Sequence, residues 1–449
     1  MARFYHIGLD DTDSSDGMCT TYLAYCIVRR LIRQSSRREK TSLVDYPNLI
    51  RLNPNIPWKT RGNAALALRL KSNLDRETLF RLCSRFLRAH ATSPRANSGL
   101  VVYEGQDIPV EVKEFSERAL HKVLGKREAY SLLGKFGMRW LALRSRQGIV
   151  GALAAIGNTL EGDHTFELIS YRRRVEIARE IDADRIVKMD RSTRPSTFSS
   201  YDPETGRIMI MPRGPDPVLC GVRGESASSV RRAFSMLLPI KNLEGWMIFR
   251  SNQGTGEHLH HELKLDDAKV YSSGFLRGVL KSNPRIERGG HIFFKLSNGE
   301  GEIECACYQP ARNLRKNVLS LIPGDMIEIA GGVRKPTRKH SRVLNMEYLL
   351  PLKLATEVKF ENPLCTKCFS RMASRGRGQG YECRRCGHIA RDAVKIMLEQ
   401  PRSGVIEEGK MYLPPLGAQR HLTKPLQRYG LPMQVDRRIV PPTGKWIKL

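Results

Sequence analysis

Apolar residues in the first half of the chain follow two different periods. Strand-length apolar runs lie at residues 4–9, 64–70 and 100–103. Leu23, Ile27 and Leu31 instead recur every four residues, which is the spacing of one helix face. Because strand and helix patterns intermingle here, the sequence predicts an α+β or α/β region over roughly the first 250 residues, as one or two subdomains.

The chain between residues 268 and 356 has a different pattern, of short apolar runs separated by turn residues. These runs lie at residues 271–279, 291–296, 302–308 and 326–332. Their length and spacing predict a small five-stranded barrel of the OB-fold type, with another small β-sandwich as the alternative. Residues 251–261 are rich in Gly, His and polar side chains, and we interpret them as a linker between the two halves.

Two sets of potential metal ligands in these regions are weak signals. Cys305 and Cys307 alternate with polar residues on a predicted strand, so we expect both thiols to face the barrel core. His258, His260 and His261 lack the His-Glu-x-x-His spacing of a zinc protease, and we expect them to be solvated in the linker. Neither set predicts a metal site.

The charge balance narrows the class of partner. The 449 residues include 75 Lys and Arg against 46 Asp and Glu, which gives a net charge of +29 and a pI of about 10.0. So large an excess favours a polyanion, and because the sequence has no apolar run of about 18 residues, RNA or DNA is favoured over a membrane. No signal-peptide pattern opens the chain, and the scattered cysteines suit reduced thiols, so we expect a cytoplasmic protein.

Four of the ten cysteines form a pattern that predicts a zinc site. Cys365 and Cys368 make one Cys-x-x-Cys pair, Cys383 and Cys386 make a second after 14 intervening residues, and Gly387 follows as a knuckle turn requires. Four thiolates at this spacing predict a structural Zn²⁺ ribbon, the alternative being two unrelated pairs. Several arginines lie within or between the pairs: Arg371, Arg375, Arg377, Arg384 and Arg385. A basic ribbon beside a barrel favours contact with a nucleic-acid backbone.

A cluster of carboxylates follows the first predicted strand. Asp10, Asp11 and Asp13 lie within four residues and repel one another unless a cation binds among them, and such oxygen ligands favour Mg²⁺ held against nucleotide phosphates. Thr20 lies where the next helix begins, and the free N–H groups and dipole there favour a phosphate. The alternative is an Asp-rich turn followed by a Thr helix cap.

Three better-known motifs can be compared with the sequence: the EF-hand, the phosphatase nucleophile loop and the P-loop. An EF-hand loop beginning at Asp11 would need Gly and Glu where the chain has Asp16 and Tyr22. The Asp-x-Asp pattern after a strand also resembles the nucleophile loop of haloacid-dehalogenase phosphatases, which makes a phosphatase an alternative. Residues 151–159 lack the Lys and the spacing of a P-loop, so we interpret them as a small-residue helix that packs closely.

Two further polar stretches are candidates for ligand contacts. In a loop between two apolar strands, Lys59 and Arg61 could reach phosphates and Gly62 would let the backbone approach closely. The alternative for this loop is a basic surface turn. Asp163 and Glu167 could receive a cationic substrate, or could cap and brace a helix.

Taken together, these motifs resemble the archaeal tRNA(Ile) 2-agmatinylcytidine synthetase family. The stretches that carry the resemblance are residues 7–14, 17–23, 55–63, 148–157, 163–172, 199–202, 214–219, 250–254, the four-cysteine pattern and residues 419–426. They are spread over essentially the whole chain. Cys220 and Ser251 depart from the residues expected at their positions.

The resemblance implies an α+β multidomain fold, with a kinase-like α/β domain, a ferredoxin-like domain, an OB-fold β-barrel and a C-terminal zinc ribbon. The expected bounds are 1–190 for the kinase-like catalytic domain, 191–262 for the remainder of the ferredoxin-like domain and the linker, 268–356 for the nucleic-acid-binding barrel, 363–390 for the ribbon and 391–449 for a basic tail that contacts tRNA.

The resemblance also implies a reaction. ATP activates the C2 oxygen of the wobble cytidine in the CAU anticodon of tRNA(Ile), and the primary amine of agmatine displaces that oxygen, with AMP and phosphates as by-products. The modified base then pairs with adenosine. tRNA and agmatine are the expected partners, and no obligate protein partner is expected. The alternatives are a non-catalytic nucleic-acid-binding protein, which leaves the aspartates unexplained, and a phosphatase, which leaves the barrel and ribbon unexplained.

Residue roles are implied position by position. Asp10, Asp11 and Asp13 would hold Mg²⁺ and the ATP phosphates. Thr20 matches the family's autophosphorylated threonine, with Thr21 as the neighbouring alternative. The expected nucleotide-binding residues are Lys59, Arg61, Gly62 and Asn63. The candidates for binding the guanidinium of agmatine are Asp163 and Glu167.

Overall fold

The structure is a computed structural model that describes residues 2–13, 17–34, 40–60, 62–91, 93–400, 405–431 and 439–449. Arg61, which the sequence analysis assigns to nucleotide binding, lies outside the described residues, as does Ser14 of the acidic stretch.

Strands and helices alternate through the first half of the chain. In order they are β1 (Arg3–Asp10), α1 (Thr20–Gln34), β2 (Thr41–Leu43), β3 (Asn48–Arg51), β4 (Ala64–Ser72), α2 (Arg76–His90), β5 (Gly99–Glu104), α3 (Val110–Ala119), α4 (Lys126–Lys135), β6 (Arg139–Ala142), α5 (Gly148–Gly157), β7 (Thr165–Arg172), α6 (Ala183–Thr193), β8 (Thr197–Phe198), β9 (Tyr201–Asp202), β10 (Arg207–Ile208), β11 (Val218–Gly224), α7 (Ala227–Met236) and β12 (Leu243–Ser251).

The second half is dominated by strands. They are β13 (Ser273–Leu280), β14 (Arg285–Ile286), β15 (Ile292–Ser297), β16 (Glu302–Cys307), helix α8 (Asn313–Leu319), β17 (Met326–Arg334), β18 (Val343–Lys353), β19 (Glu357–Glu361), β20 (Ala373–Ser374), β21 (Tyr381–Glu382), β22 (Ile389–Ala390), β23 (Ile396–Gln400) and β24 (Ile447–Lys448).

One eleven-stranded sheet organises the first half, in the order β6-β5-β1-β4-β3-β12-β7-β11-β8, with β2 beside β4 and β24 beside β12. Neighbours are antiparallel except β3 and β12, which pair in parallel at Arg250↔Asn48 and Ser251↔Leu49. That pair joins the strands that come early in the chain to those that come late. The predicted mixture of strands and helices is confirmed, and the helical spacing of Leu23, Ile27 and Leu31 is the buried face of α1.

Alternation along β1 decides which residues meet which helix layer. Tyr5, Ile7 and Leu9 pack in one core with residues of α1 and α2. Successive strand residues point to opposite faces, so Gly8 and Asp10 face α5 on the other side of the sheet. The small-residue helix predicted from the glycine pattern is confirmed as α5, which is buried along nearly its whole length.

A closed five-stranded barrel follows, in the order β13-β17-β18-β16-β15 with β15 returning to β13. β16 and β18 run in parallel and α8 lies between β16 and β17, which is the OB-like arrangement the sequence predicts. Cys305 and Cys307 lie in the barrel core, as expected from their alternation with polar residues.

The expectation that residues 251–261 form a solvated linker is wrong for residues 251–256 and for His258, and it holds for His260, which is exposed. Residues 251–256 are buried, and His258 is fully buried, with its Nε2 3.1 Å from Glu347 Oε2 of β18. The His261 ring packs on His121, with ring centroids 3.7 Å apart. His258 and His261 therefore pack at the junction between the sheet and the barrel.

The chain after the ribbon packs back onto the rest of the molecule. We call residues 405–431 the C-terminal segment. The segment hydrogen-bonds to the barrel between the Tyr412 and Leu349 backbones and then runs into the first half, while β24 adds to β12. Among the described residues, no helix is both long and apolar enough to cross a membrane.

Candidate active site

A cavity of about 280 Å³ opens where the carboxyl end of β1 meets the first residues of α1. Its walls come from β1, α1, β3, the β3–β4 loop, α5, β7, β11 and the C-terminal segment. Most of the residues that the sequence analysis assigns to catalysis and nucleotide binding line this one cavity: Asp10, Asp11, Asp13, Thr20, Lys59, Gly62 and Asn63. Sequence neighbours and distant loops therefore meet at one place.

The acidic cluster, Asp10, Asp11 and Asp13, forms one wall. Burial, reinforced by repulsion from Asp11 and Asp13, raises the pKa of Asp10 well above its usual range. Burial also raises the pKa of Asp11, against a hydrogen bond that Thr60 Oγ1 donates to its Oδ1 at 3.2 Å. Carboxylates crowded in this way release free energy when a cation joins them.

Asp10 is held at this wall by close packing of the helix behind it. A Cβ atom added to Gly151 of α5 would lie 1.9 Å from Asp10 Oδ2. Only glycine leaves room for the carboxylate at that point, so the small-residue character of α5 determines where the acidic cluster sits.

Thr20 is the first residue of α1 and is buried at the inner end of the cavity. Thr12 Oγ1 donates a hydrogen bond to Thr20 Oγ1 at 3.0 Å. Thr21 also lines the cavity, and its Oγ1 lies 3.0 Å from Cys19 Sγ. The start of the helix therefore presents two hydroxyls and the positive end of the helix dipole, where an anion is favoured.

The basic cluster, Arg51, Lys59 and Arg223, forms another wall of the same cavity. Burial lowers the pKa of Arg51 to about 10. Burial and the neighbouring Arg420 lower the pKa of Lys59. Arg51 and Lys59 are disfavoured as cations in this environment, whereas Arg223 is paired with Glu167, so an anionic ligand would be bound favourably beside Arg51 and Lys59.

The two agmatine candidates occupy different places. Glu167 lines the cavity, where Arg223 Nε donates to its Oε1 at 3.2 Å and the Gln253 amide donates to its Oε2. Asp163 is not part of the lining that the described residues form. Both of its carboxylate oxygens accept hydrogen bonds from Arg428, at 2.8 and 3.1 Å. Both carboxylates therefore have internal partners, and Glu167 is the candidate that the geometry favours because it lines the cavity.

Both residues lie at or beside a strand and not a helix. Glu167 is in β7, and Asp163 precedes its first residue, Thr165. The interpretation that they cap and brace a helix is therefore wrong. The β3–β4 loop that carries Lys59 does connect two strands, as expected, and its inner side faces the cavity rather than solvent alone.

Several cavity residues carried no individual assignment from the sequence: Arg51, Asp216, Arg223 and His421. Arg51 and Arg223 lie on strands, and a positive charge on an otherwise apolar strand was the only local signal available. His421 belongs to a stretch that carries the family resemblance, yet nothing local indicates that it meets Arg223, whose Nη2 donates to His421 Nδ1 at 2.8 Å.

The four ribbon cysteines form a compact tetrathiolate site. One Sγ from each of Cys365, Cys368, Cys383 and Cys386 lies within 4.8 Å of all the others. The residues that follow the two pairs have positive φ, 57° at Phe369 and 72° at Gly387, and their N–H groups donate back to Cys365 O and Cys383 O. This donor set fits tetrahedral Zn²⁺, as the sequence predicts.

The fold and cavity define an enzyme that handles an anionic ligand beside clustered carboxylates and that carries a nucleic-acid-binding type of barrel and zinc ribbon. Family models match in three places: the TiaS TCKD domain at residues 6–81, the TiaS FLD domain at 146–258 and the TiaS C-terminal zinc ribbon domain at 362–403. The tRNA(Ile) 2-agmatinylcytidine synthetase TiaS of Cenarchaeum symbiosum (strain A) is 40% identical, covering 95% of this chain and 93% of its own.

Solved structures agree with these sequence matches. The complex of TiaS with its isoleucine tRNA and ATP is 33% identical with a TM-score of 0.83, covering 97% of this chain and 99% of that chain. The complex of TiaS with the same tRNA, AMPCPP and agmatine is 31% identical with a TM-score of 0.80, over 97% and 99% of the two chains. This chain belongs to the tRNA(Ile) 2-agmatinylcytidine synthetase (TiaS) family. The predicted fold class and the family resemblance are thereby confirmed.

Proposed function

We propose that this protein is an ATP-dependent ligase that attaches agmatine to C2 of the wobble cytidine in the CAU anticodon of tRNA(Ile). The observation that carries the proposal is that the acidic cluster and the basic cluster line one and the same cavity, in a member of this family. The product, 2-agmatinylcytidine, pairs with adenosine and allows the AUA codon to be read. A cytoplasmic location follows from the tRNA substrate and from the reduced cysteines.

The nucleotide would lie between the two walls, with its phosphates near Arg51, Lys59 and Arg223. The acidic cluster fits Mg²⁺, because burial and mutual repulsion leave Asp10 and Asp11 short of positive charge. When bound, Mg²⁺ would neutralise phosphate charge and orient the nucleotide for displacement. Gly62 and Asn63 of the β3–β4 loop also line the cavity, and their backbone would lie close to the nucleotide.

The side chain of Thr20 is the proposed site of autophosphorylation. It lines the cavity at the start of α1, where a phosphate would meet the positive end of the helix dipole. Thr21 lines the same cavity and is the neighbouring alternative. Phosphopeptide mapping after incubation with ATP, in wild type and in Thr20→Val, distinguishes the two hydroxyls.

Agmatine would enter with its guanidinium toward Glu167, a buried carboxylate that lines the cavity. A carboxylate can accept two hydrogen bonds from a guanidinium. The primary amine of agmatine then attacks C2 of the cytosine. The new C–N bond forms as the activated C2–O bond breaks, and the oxygen leaves with the phosphoryl group that ATP supplied. The amine loses its protons to solvent or to a cavity base, so the base gains agmatine less one water.

The cytidine must leave its stack to reach an enclosed cavity. Trp58 is 54% exposed at the mouth of the cavity and meets Tyr271 of the barrel side edge to face, with ring centroids 6.2 Å apart. An exposed indole there offers a stacking surface for an unstacked base. The barrel and ribbon, with the overall charge of +29, would hold the tRNA body.

The direct test is a reconstituted modification reaction. Purified protein is incubated with ATP, Mg²⁺, agmatine and the CAU-anticodon tRNA(Ile), and the digested tRNA is analysed by mass spectrometry. We expect the mass of agmatine less water on a single cytidine, and none when ATP or agmatine is omitted. Tight tRNA binding with no mass change would support the non-catalytic binding protein instead.

Asp11→Asn tests the role of the acidic cluster. Asparagine keeps the shape and tolerates the φ of 52° at this position, but it removes the charge. We expect modification to fall at least about a hundredfold, since a metal and phosphate contact is lost, while tRNA affinity stays within about twofold.

Asp107→Asn is the matched control, because Asp107 is exposed after β5 and outside the cavity lining. It should modify tRNA at the wild-type rate. If Asp11→Asn instead abolished tRNA binding and left single-turnover chemistry intact at saturating tRNA, the acidic cluster would belong to RNA recognition.

A further inference from the structure

His421 enters the cavity from the C-terminal segment and is fixed on both sides. The Gly254 N–H donates to His421 O at 3.0 Å, and the Gly256 N–H donates to Leu422 O at 2.7 Å. Seven residues further on, Arg428 binds Asp163 and Glu225 through its guanidinium. The backbone that carries the imidazole is therefore held in place before any ligand arrives.

The hydrogen bond at Nδ1 defines the tautomer of His421. Arg223 Nη2 lies 2.8 Å from Nδ1, and because a guanidinium only donates, Nδ1 must carry the lone pair. The neutral ring consequently carries its proton on Nε2. Repulsion from Arg51 lowers the pKa of His421 well below its usual value, so the ring stays neutral.

The Nε2–H edge of this ring has no hydrogen-bond partner among the described residues. Gly62 of the β3–β4 loop faces it, and a Cβ added there would lie 2.9 Å from His421 Nε2 and 2.5 Å from Arg51 Nη1. The glycine thus lets the Arg51 guanidinium and the neutral His421 ring approach the β3–β4 loop closely, at the cavity that both side chains line. A group bound there must accept hydrogen bonds, and the surrounding cations favour one with negative charge.

We propose that His421 is a phosphate-binding residue, whose Nε2–H donates to a phosphate oxygen held in the cavity beside Arg51 and Lys59. The inference deepens the proposed function and rests on it, because that function brings phosphates into the cavity. Two sources supply this chemistry: the nucleotide and the backbone of the tRNA around the flipped cytidine. A neutral donor binds the anion and adds no further positive charge to a wall that is already crowded with cations.

The test compares His421→Ala, His421→Gln and His421→Asn in the full-length protein. A glutamine amide can place an N–H near the position of Nε2, whereas the shorter asparagine reaches only the Nδ1 position. Binding of AMPCPP with Mg²⁺ is measured by calorimetry without tRNA, and binding of tRNA is measured without nucleotide. Leu426→Ala is the matched control, since Leu426 is 54% exposed on the same segment and outside the cavity lining.

We expect His421→Ala and His421→Asn to weaken AMPCPP binding, or to raise the KM for ATP, by about tenfold or more, and His421→Gln to remain within about threefold of wild type. Loss of tRNA affinity alone, with the same order among the variants, would assign the phosphate to the RNA and also support the proposal. Unchanged affinity for both ligands in a folded His421→Ala protein would overturn it.

The outcome is separable from that of the proposed function. If wild type binds AMPCPP but forms no 2-agmatinylcytidine, the ligase proposal fails while the binding comparison still decides the role of His421. If wild type forms the product and His421→Ala does so with the same kcat and KM, only the inference about His421 fails.

Discussion

Single side chains in this protein acquire their properties from burial more than from their neighbours in sequence. Glu257 follows β12 in a stretch that looks like a polar linker, yet burial, with repulsion from Asp163, raises its pKa to about 7 against a hydrogen bond from Asn252. A carboxyl group with this pKa is mostly protonated in mildly acidic solution and mostly charged at pH 8.

Glu257→Gln should change how stability depends on pH. The folded-state pKa lies above the ordinary value of 4.5, so the contribution of Glu257 is fully present below pH 4.5 and is lost as pH rises through about 7. Glutamine resembles the protonated form. We expect the variant to match wild type near pH 5 and to exceed it at pH 8 by about 1–3 kcal/mol in free energy of unfolding, measured by urea denaturation.

Glu111→Gln is the control of opposite sign. The hydrogen bond from Lys135 lowers the pKa of Glu111, so the ionised form is the one favoured in the folded protein. Replacing Glu111 by glutamine should therefore not raise the free energy of unfolding at pH 8. A Glu257→Gln protein that was less stable than wild type at both pH values would show that Glu257 stays ionised and paired.

At the scale of elements, helix α5 sets the position of Asp10, the carboxylate proposed to act in catalysis. Its glycines let it lie directly against β1, and Gly151 is the point where the helix meets Asp10. An apolar helix that packs this closely against a strand end leaves no empty space between them. A small shift in the position of α5 therefore also moves the acidic cluster.

Gly151→Ala should therefore impair catalysis more than folding. The added Cβ must displace Asp10 or the helix, since the gap is only 1.9 Å. We expect a loss of about tenfold to a hundredfold in kcat/KM for tRNA modification, together with a stability cost of about 1–3 kcal/mol.

Gly134→Ala in α4 is the matched helical substitution. No atom lies within 4 Å of a Cβ added at Gly134, so alanine should raise stability by about 0.5–1 kcal/mol through helix propensity and leave kcat/KM unchanged. Full activity in Gly151→Ala would mean that the position of Asp10 is set by something other than α5.

At the scale of the molecule, the C-terminal segment ties the barrel to the first half of the chain. Arg428 is almost fully buried and bonds with two carboxylates that lie far from it in sequence, Asp163 and Glu225. Thr423 of the same segment donates to Glu347 Oε2 of the barrel, the oxygen that also meets His258. The segment thus completes the cavity and fixes the relation between the cavity and the barrel.

Arg428→Ala should destabilise the protein strongly. Removing one partner leaves Asp163 buried with only Lys424 3.7 Å away, and breaking a buried pair costs about 3–5 kcal/mol. We expect a fall of that size in the free energy of unfolding, with loss of modification activity because His421 is no longer anchored.

Lys410→Ala breaks an exposed pair with Glu407 in the same segment and should leave stability nearly unchanged. A mild effect of Arg428→Ala, comparable with that of Lys410→Ala, would show that the segment is not held by this ion pair.

Local sequence determined the parts of this protein whose signals are short-range. The period of apolar residues identified β1, α1 and the barrel strands, and the spacing of the four cysteines identified the zinc site, because a strand, a helix face and a knuckle each span only a few residues. The three aspartates after β1 were visible for the same reason.

Only the tertiary structure decided which of these signals meet. Arg51, Arg223 and His421 are separated by up to 370 positions and converge on the aspartates because β3, β11 and the C-terminal segment pack at one end of the sheet. It also buried His258, which the sequence places in an apparent linker, and gave Asp163 an internal partner. Composition and spacing carry no information on such contacts, since packing between distant segments determines burial, and burial determines the charge and hydrogen bonds of each side chain.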